Sequence, residues 1–330
     1  MNQPPAFAPD TTAMRAMRVI APGQVRMEEM PLPVPADGQV LVRLEGCGVC
    51  ASNLEPWAGP DWMNYPTDPG GMGHEGWGRV ERLGAGVTGL SVGQRVTFLG
   101  QCGYATHEVV DAGRVIPLPD RIAGPFPGEA FGCAMNIFLR SGIRAGDRVA
   151  IIGVGFLGAA LTRLASNVGA DVIAISRRDT SLALARQMGA ARTIPMEDHH
   201  AIIHEVAELT DHRFCDVVIE AVGKQWPLDL AGEIVAEGGR LVIAGYHQDG
   251  PRQVNMQNWN WRGIDVINAH ERSLDKCLNG VHEAIKAIEA GRLDPGPLLT
   301  HMFPLEALDQ ALDATRDKPD GLVKAWVACA

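Results

Sequence analysis

Aromatic residues are scarce in this sequence: Phe, Trp and Tyr make up 5% of it, with three tyrosines in all. Basic residues are also in deficit, with 29 Lys and Arg against 39 Asp and Glu and a formal net charge of −10 at pH 7. An acidic balance of this kind leaves no broad basic face and argues against nucleic acid as a partner. Long apolar runs are missing too. Stretches such as Val149–Phe156 fall far short of the ~20 residues that span a bilayer, so no membrane partner is expected. Met1–Thr12 lacks the positive n-region and apolar core of a secretory leader and reads as a frayed tail. The seven cysteines are an odd number. Without a leader they are expected to be reduced thiols in the cytoplasm, special only where they bind metal or catalyse.

What is abundant is glycine, at 38 residues in a chain of 330. That length suits two domains, and glycine at that level suits tight turns and backbone held close to a ligand. From Met17 to about Asp120 short β-like runs alternate with turn signals: Gln39–Glu45, Gly76–Leu83, Gln94–Phe98 and Tyr104–Val110. Pro117–Pro127 carries four prolines and reads as a connection. The texture then changes to strand and helix in alternation. Arg148–Ile152, Asp171–Ser176, Asp216–Ala221, Arg240–Ala244 and Ile264–Ala269 are strand candidates; Ser181–Met188, Leu228–Val235 and His282–Ala290 are helix candidates. This predicts an α/β unit with a doubly wound parallel sheet. Gly321–Cys329 reads as one more strand.

Gly153-Val154-Gly155-Phe156-Leu157-Gly158 stands between a strand and a helix. In that setting the first glycine permits the turn, the second admits a pyrophosphate and the third lets helix and strand pack closely. The phosphates then lie at the helix N-terminus. An NAD site would place Asp or Glu at the end of the second strand, but Ser176-Arg177-Arg178 is found there. Two guanidiniums suit a 2′-phosphate, so NADP(H) is favoured over NAD(H). Asp179 keeps NAD(H) open, and solvated surface arginines are the plainer alternative.

Cys50, His74, Glu75 and Glu129 offer thiolate, imidazole and carboxylate, a donor set that suits zinc with a position left for water or substrate. Taken singly, such a cysteine is more often a small buried hydrophobe, and such a His-Glu pair is more often surface polarity. Cys47 and Cys50 form a C-x-x-C, yet neither a thioredoxin-like pattern nor a second close pair accompanies it. Cys47 is therefore read as structural.

The run from Gly48 through Gly76-Trp77-Gly78-Arg79-Val80, then Val92-Gly93-Gln94-Arg95-Val96 and the glycine fingerprint, resembles the zinc-containing medium-chain alcohol and polyol dehydrogenases. The resemblance implies a GroES-like catalytic domain over residues 1–127 and 292–330, with a Rossmann domain over 128–291. It implies one catalytic zinc held by Cys50, His74 and Glu129, with Glu75 as an alternating or fourth ligand, and Ser52 as the hydroxyl that relays a proton. Only seven residues separate Val96 from Tyr104, where many relatives insert a lobe with four cysteines, so no structural zinc is expected. Asn53 stands where many relatives have an aspartate that orients the zinc-bound histidine, and is expected to accept that histidine's N–H without adding charge. Glu55 replaces a relay histidine found in some of them.

The implied reaction moves hydride between NADP(H) and a secondary alcohol or carbonyl, with a sugar, polyol or cyclitol as the leading small-molecule substrate. Trp57 and Trp62, with Tyr65, could line its pocket; core or subunit packing serves equally well for them. A homodimer or homotetramer is expected, since the Ile264–Ala269 strand pairs between subunits in relatives. The competing readings are a zinc-free enone or quinone reductase of the same fold, a non-catalytic nucleotide-binding protein and, weakest, a Cys47/Cys50 redox dithiol.

Overall fold

The computed structural model describes residues 12–329, so all of the expected frayed tail except Thr12 lies outside the described residues. Two sheets organise the chain. The first has seven strands: Gln39–Gly48, Gly76–Leu83, Arg95–Phe98, His107–Asp111, Val115–Pro117, His301–Pro304 and Ala325–Ala328. Its turn-rich sequence and alternating burial produce a GroES-like β domain. The last strand pairs antiparallel with the first, Val327 opposite Cys47, so the C-terminal segment is built into this sheet. Cys47 is fully buried in its core, as its structural reading requires.

The second sheet has six parallel strands in the spatial order 192–195, 171–176, 148–152, 215–220, 235–243, 265–268. Val149–Ile152 and Val217–Ile219 are completely buried, as expected for strands covered by helices on both faces. The chain starts in the middle of this Rossmann sheet, winds to one edge, then returns and winds to the other. The strand order reverses between 148–152 and 215–220, and such a reversal opens a crevice at the carboxyl ends of the strands. The glycine fingerprint follows Arg148–Ile152 and so lies at that crevice.

Several elements depart from the expectations. The hairpin Ala13–Ala21 with Gln24–Pro31 and the helices Gly128–Ser141, His199–Leu209 and Leu308–Asp317 carry patterns that the sequence reading did not resolve. The expected strand over Gly321–Cys329 forms only at Ala325–Ala328, because Leu322 N–H closes a turn onto the Pro319 carbonyl at 3.0 Å. Among the described residues no helix is long and apolar enough to cross a membrane.

Candidate active site

Cys50 follows the strand Gln39–Gly48, and His74-Glu75 immediately precede its antiparallel neighbour Gly76–Leu83. Pairing of Cys47 with Gly76, extended by Gly48 N–H to the Glu75 carbonyl at 3.1 Å, brings the two segments together. One donor atom from each of Cys50, His74 and Glu75 lies within 4.8 Å of the others. Gly48 makes room for this: a Cβ there would sit 1.9 Å from Glu75 Oε2. Glu129, in the first turn of Gly128–Ser141, stands outside this trio but close enough for its charge to act on His74. Its helix is pinned to the β domain by Gly128 N–H on Thr97 Oγ1, which in turn donates to the Gly76 carbonyl. Glu129 lines a small pocket with Leu99, Asn136 and His270, and burial raises its carboxyl pKa.

The orientation of His74 corrects the expectation for Asn53. His74 Nδ1 faces the Met72 carbonyl at 2.9 Å, and Asn53 Nδ2 donates to that same carbonyl at 3.0 Å. Asn53 Oδ1 accepts instead from Tyr104 OH at 2.8 Å. The amide therefore acts one step back, fixing the carbonyl that fixes the ring. Met72 presents that carbonyl from a left-handed backbone (φ 73°), uncommon for a side-chain-bearing residue and typical of functional positions. Nε2 is left for a metal. Burial alone would lower the His74 pKa, but hydrogen bonding to Cys50 and the charges of Cys50, Glu129 and Glu75 raise it to about 10. Such an anionic pocket calls for a cation.

Glu75 is almost wholly buried and is matched by Lys324, also buried, which the sequence reading missed. Lys324 Nζ donates to Glu75 Oε1 at 2.8 Å and lies 2.7 Å from Oε2, which accepts no hydrogen bond among the described residues. That leaves a buried carboxylate lone pair beside a thiol and an imidazole, and together the three fit a zinc ion. Lys324 Nζ also stands 4.8 Å from the centroid of the Phe156 ring, within the glycine fingerprint. A single ammonium thus touches both the metal donors and the nucleotide loop. Its only sequence signal was a charge at the start of an apolar strand.

Ser52 is half-buried in the turn Ala51–Asn53, and its hydroxyl has no hydrogen-bond partner among the described residues. Trp57 is corrected: it is 3% exposed in the β-domain core, with its indole N–H bonded to Asp313 at 2.9 Å, so it is scaffold and not pocket wall. Trp62, at 63% exposure, lies on the outer loop.

The fingerprint glycines have the geometry their roles require. Gly153 has φ 94°, and a Cβ on Gly158 would fall 1.9 Å from the Gly153 carbonyl oxygen. At Gly155 a Cβ would meet nothing within 4 Å. Gly155 is also the N-cap of the helix Phe156–Asn167, whose first amides have no side-chain cap. Open backbone and free amides at a helix N-terminus fit a phosphate. Phe156 and Leu157 open that helix, half-buried. Ser176 is buried at its strand end and Arg177 projects exposed. Arg178 instead donates to the Leu322 carbonyl at 3.2 Å and is half-buried. Across the crevice Glu220, fully buried, accepts from the amides of Val222 and Gly223 and pairs with His247 at 3.0 Å, holding the loop that faces Gly153. This device was also missed, since His247, the partner of Glu220, lies 27 residues further along the chain.

Two family profiles match the chain: one described as "Zinc-binding dehydrogenase" over residues 157–289, and one described as "Alcohol dehydrogenase GroES-like domain" over residues 36–120. Among curated proteins, the sorbitol dehydrogenase of Gallus gallus is 26% identical over 93% of this chain and 94% of its own. An alcohol dehydrogenase of Cupriavidus necator is 26% identical over 95% and 98%, and an L-threonine 3-dehydrogenase of Chromobacterium violaceum is 26% identical over 92% and 96%. Among solved structures, a putative zinc-binding dehydrogenase from Sinorhizobium meliloti bound to NADP superposes with a TM-score of 0.83 at 23% identity, over 96% of this chain and 100% of that one. The 2R,3R-butanediol dehydrogenase of Bacillus subtilis gives 0.83 at 22% identity, over 96% and 99%.

Proposed function

Because the chain belongs to the zinc-type medium-chain dehydrogenase/reductase family, we propose that it is a zinc-dependent dehydrogenase that moves hydride between NADP(H) and a secondary alcohol or its carbonyl. The observation that carries this reading is Lys324. It joins the Cys50, His74 and Glu75 donors to the glycine loop, so metal and nicotinamide cofactor would meet in one cleft.

Cys50, His74 and Glu75 would hold the zinc, with Glu129, just outside that trio, as a further carboxylate donor. Zinc bound there supplies a Lewis acid for the substrate oxygen, and the dinucleotide supplies the hydride acceptor. The chain does the rest. The Met72 carbonyl fixes the imidazole tautomer, with Asn53 fixing the carbonyl. The free Ser52 hydroxyl takes the proton of the substrate alcohol and passes it on. Gly155 and the first amides of the following helix receive the diphosphate. Exposed Arg177 is free to pair with a 2′-phosphate, which favours NADP(H).

A polyol, sugar or cyclitol is the substrate class favoured by a carboxylate-rich metal pocket. The open edge strand Asp265–Asn268, beside Trp261 at 84% exposure, suits pairing with a second copy of the chain. Elemental analysis of the purified protein, with turnover assays on polyols and NADP⁺, tests the proposal. About one zinc per chain and NADP⁺-dependent oxidation are expected. A metal-free protein that reduces enones after attempted reconstitution would replace this reading with the zinc-free one.

A further inference from the structure

Ser52 sits in a turn that the two domains hold from opposite ends. The turn Ala51–Asn53 is closed where Leu54 N–H donates to the Ala51 carbonyl. At its far end the Asn53 side chain is fixed within the β domain, by the Met72 carbonyl and Tyr104 OH. At its near end the hold comes from the Rossmann domain. Gln248 Nε2 donates to the Ala51 carbonyl at 3.2 Å, across 197 residues of chain. That carbonyl thus takes two bonds, one that closes the turn and one that reaches it from the nucleotide wall.

Gln248 is held ready for this contact. It follows the strand Val235–Ile243, in the loop at the carboxyl end of the parallel sheet. Both of its neighbours are anchored. His247 Nδ1 accepts from Arg252 Nε at 2.8 Å, which leaves Nε2 to donate to buried Glu220 at 3.0 Å. Asp249 pairs with Lys224 at 2.5 Å and also with Arg252. Arg252 donates in turn to the Gly223 carbonyl at 2.9 Å, and Glu220 accepts from the Gly223 amide. The loop is therefore tied to the segment that faces Gly153. An amide carried between two fixed residues gives up little further freedom in making its bond.

We propose that Gln248 is a positioning residue for the proton relay, setting the Ser52 hydroxyl through the Ala51 carbonyl. The inference rests on the proposed function, in which Ser52 takes the proton of the substrate alcohol. With no hydrogen bond of its own among the described residues, that hydroxyl is placed by the backbone of the turn. Proton transfer needs hydrogen-bond reach, so a small displacement of the turn slows it. Gln248 hydrogen-bonds to neither the metal donors nor the glycine loop among the described residues, so its removal spares both.

Gln248→Ala, Gln248→Lys and Ser52→Ala, made in the full chain, test it. Hydrogen–deuterium exchange of the metal-free protein reads the turn without any turnover. Loss of one hydrogen bond should speed exchange of the Asn53 and Leu54 amides by about three- to tenfold in Gln248→Ala. Gln248→Lys keeps a donor and should reverse most of that change. In the zinc-loaded enzyme, with sorbitol and 2,3-butanediol as probes, the single-turnover rate of NADPH formation should fall by a similar factor. Substrate KM and NADP⁺ affinity should stay as they are. The loss should shrink as pH rises, because hydroxide then takes the proton without the relay. In a Ser52→Ala background, Gln248→Ala should add no further loss. Unchanged exchange in the turn would overturn the assignment, as would losses that add fully in the double variant or a defect confined to KM. A wild type that oxidises no polyol or other secondary alcohol with NADP⁺ would defeat the proposed function itself, and the exchange rates would still judge the bond.

Discussion

The two walls of the cleft are built on different principles. The nucleotide wall is contiguous: Gly153, Gly155 and Gly158 lie within six residues of one another, and they act through backbone shape and the amides of one helix. The metal wall is assembled from distant segments, with Cys50, His74-Glu75, Glu129 and Lys324 brought together by sheet pairing and by helix docking. The first works by leaving space. The second works by holding charges out of water, where each group depends on its partner. Substitutions on the nucleotide wall should therefore act through sterics, and those on the metal wall through uncompensated charge.

The largest expected effect separates the walls. Cys50→Ser should abolish zinc binding and lower kcat/KM by on the order of 10³-fold or more, as expected when a Lewis acid worth several kcal/mol is lost. NADPH affinity, read by fluorescence, should change little; a parallel collapse of both would show that the walls are one unit. Next comes Lys324→Met, which leaves Glu75 buried without its counter-charge and should cost about 3–5 kcal/mol in denaturant unfolding of the metal-free protein. Adding Glu75→Gln to that variant should restore most of the loss, and no restoration would remove the ion pair from the account.

Glu108 extends the theme to pH. It is buried beneath the loop that supplies the amides of Gln101 and Cys102 to one of its oxygens, while Oε2 accepts no hydrogen bond among the described residues. Burial raises its pKa from 4.5 to about 7 despite those two bonds. The folded protein thus holds this proton more tightly than the unfolded chain. Its stabilising effect is complete below about pH 4.5 and is lost as pH rises through about 7, a swing of about 3 kcal/mol. Glu108→Gln should flatten that part of the Tm–pH profile and raise Tm at pH 8; an unchanged profile would count against a buried, protonated Glu108.

Gly158→Ala probes the nucleotide wall by shape alone. Its Cβ would collide with the Gly153 carbonyl, costing ~1–3 kcal/mol of stability and weakening NADPH, with zinc content untouched. The smallest effect belongs to Asn53→Ala, which frees the Met72 carbonyl and should weaken zinc by about 10–100-fold in chelator competition. If zinc affinity holds, the His74 ring is fixed by something other than this chain of hydrogen bonds.

The same contrast decides what could be read from sequence. The Rossmann strands 148–152 and 171–176 were legible to the residue, because buried parallel strands write themselves as apolar runs and the glycine loop is local. Cys50, His74 and Glu75 were legible as donor types beside recognisable strands. Lys324 was not, since its partner Glu75 lies far away in sequence and only the antiparallel pairing of Ala325–Ala328 with Gln39–Gly48 brings it in. Trp57 was misplaced for the same reason: its partner, Asp313, is 256 residues away.

The most direct test of a zinc site sharing its cleft with the dinucleotide is cobalt substitution. Cobalt(II) in place of zinc should give a thiolate charge-transfer band that vanishes in Cys50→Ser and shifts when NADPH is added. A protein that takes up no cobalt at Cys50, or whose cobalt band ignores bound NADPH, would contradict it.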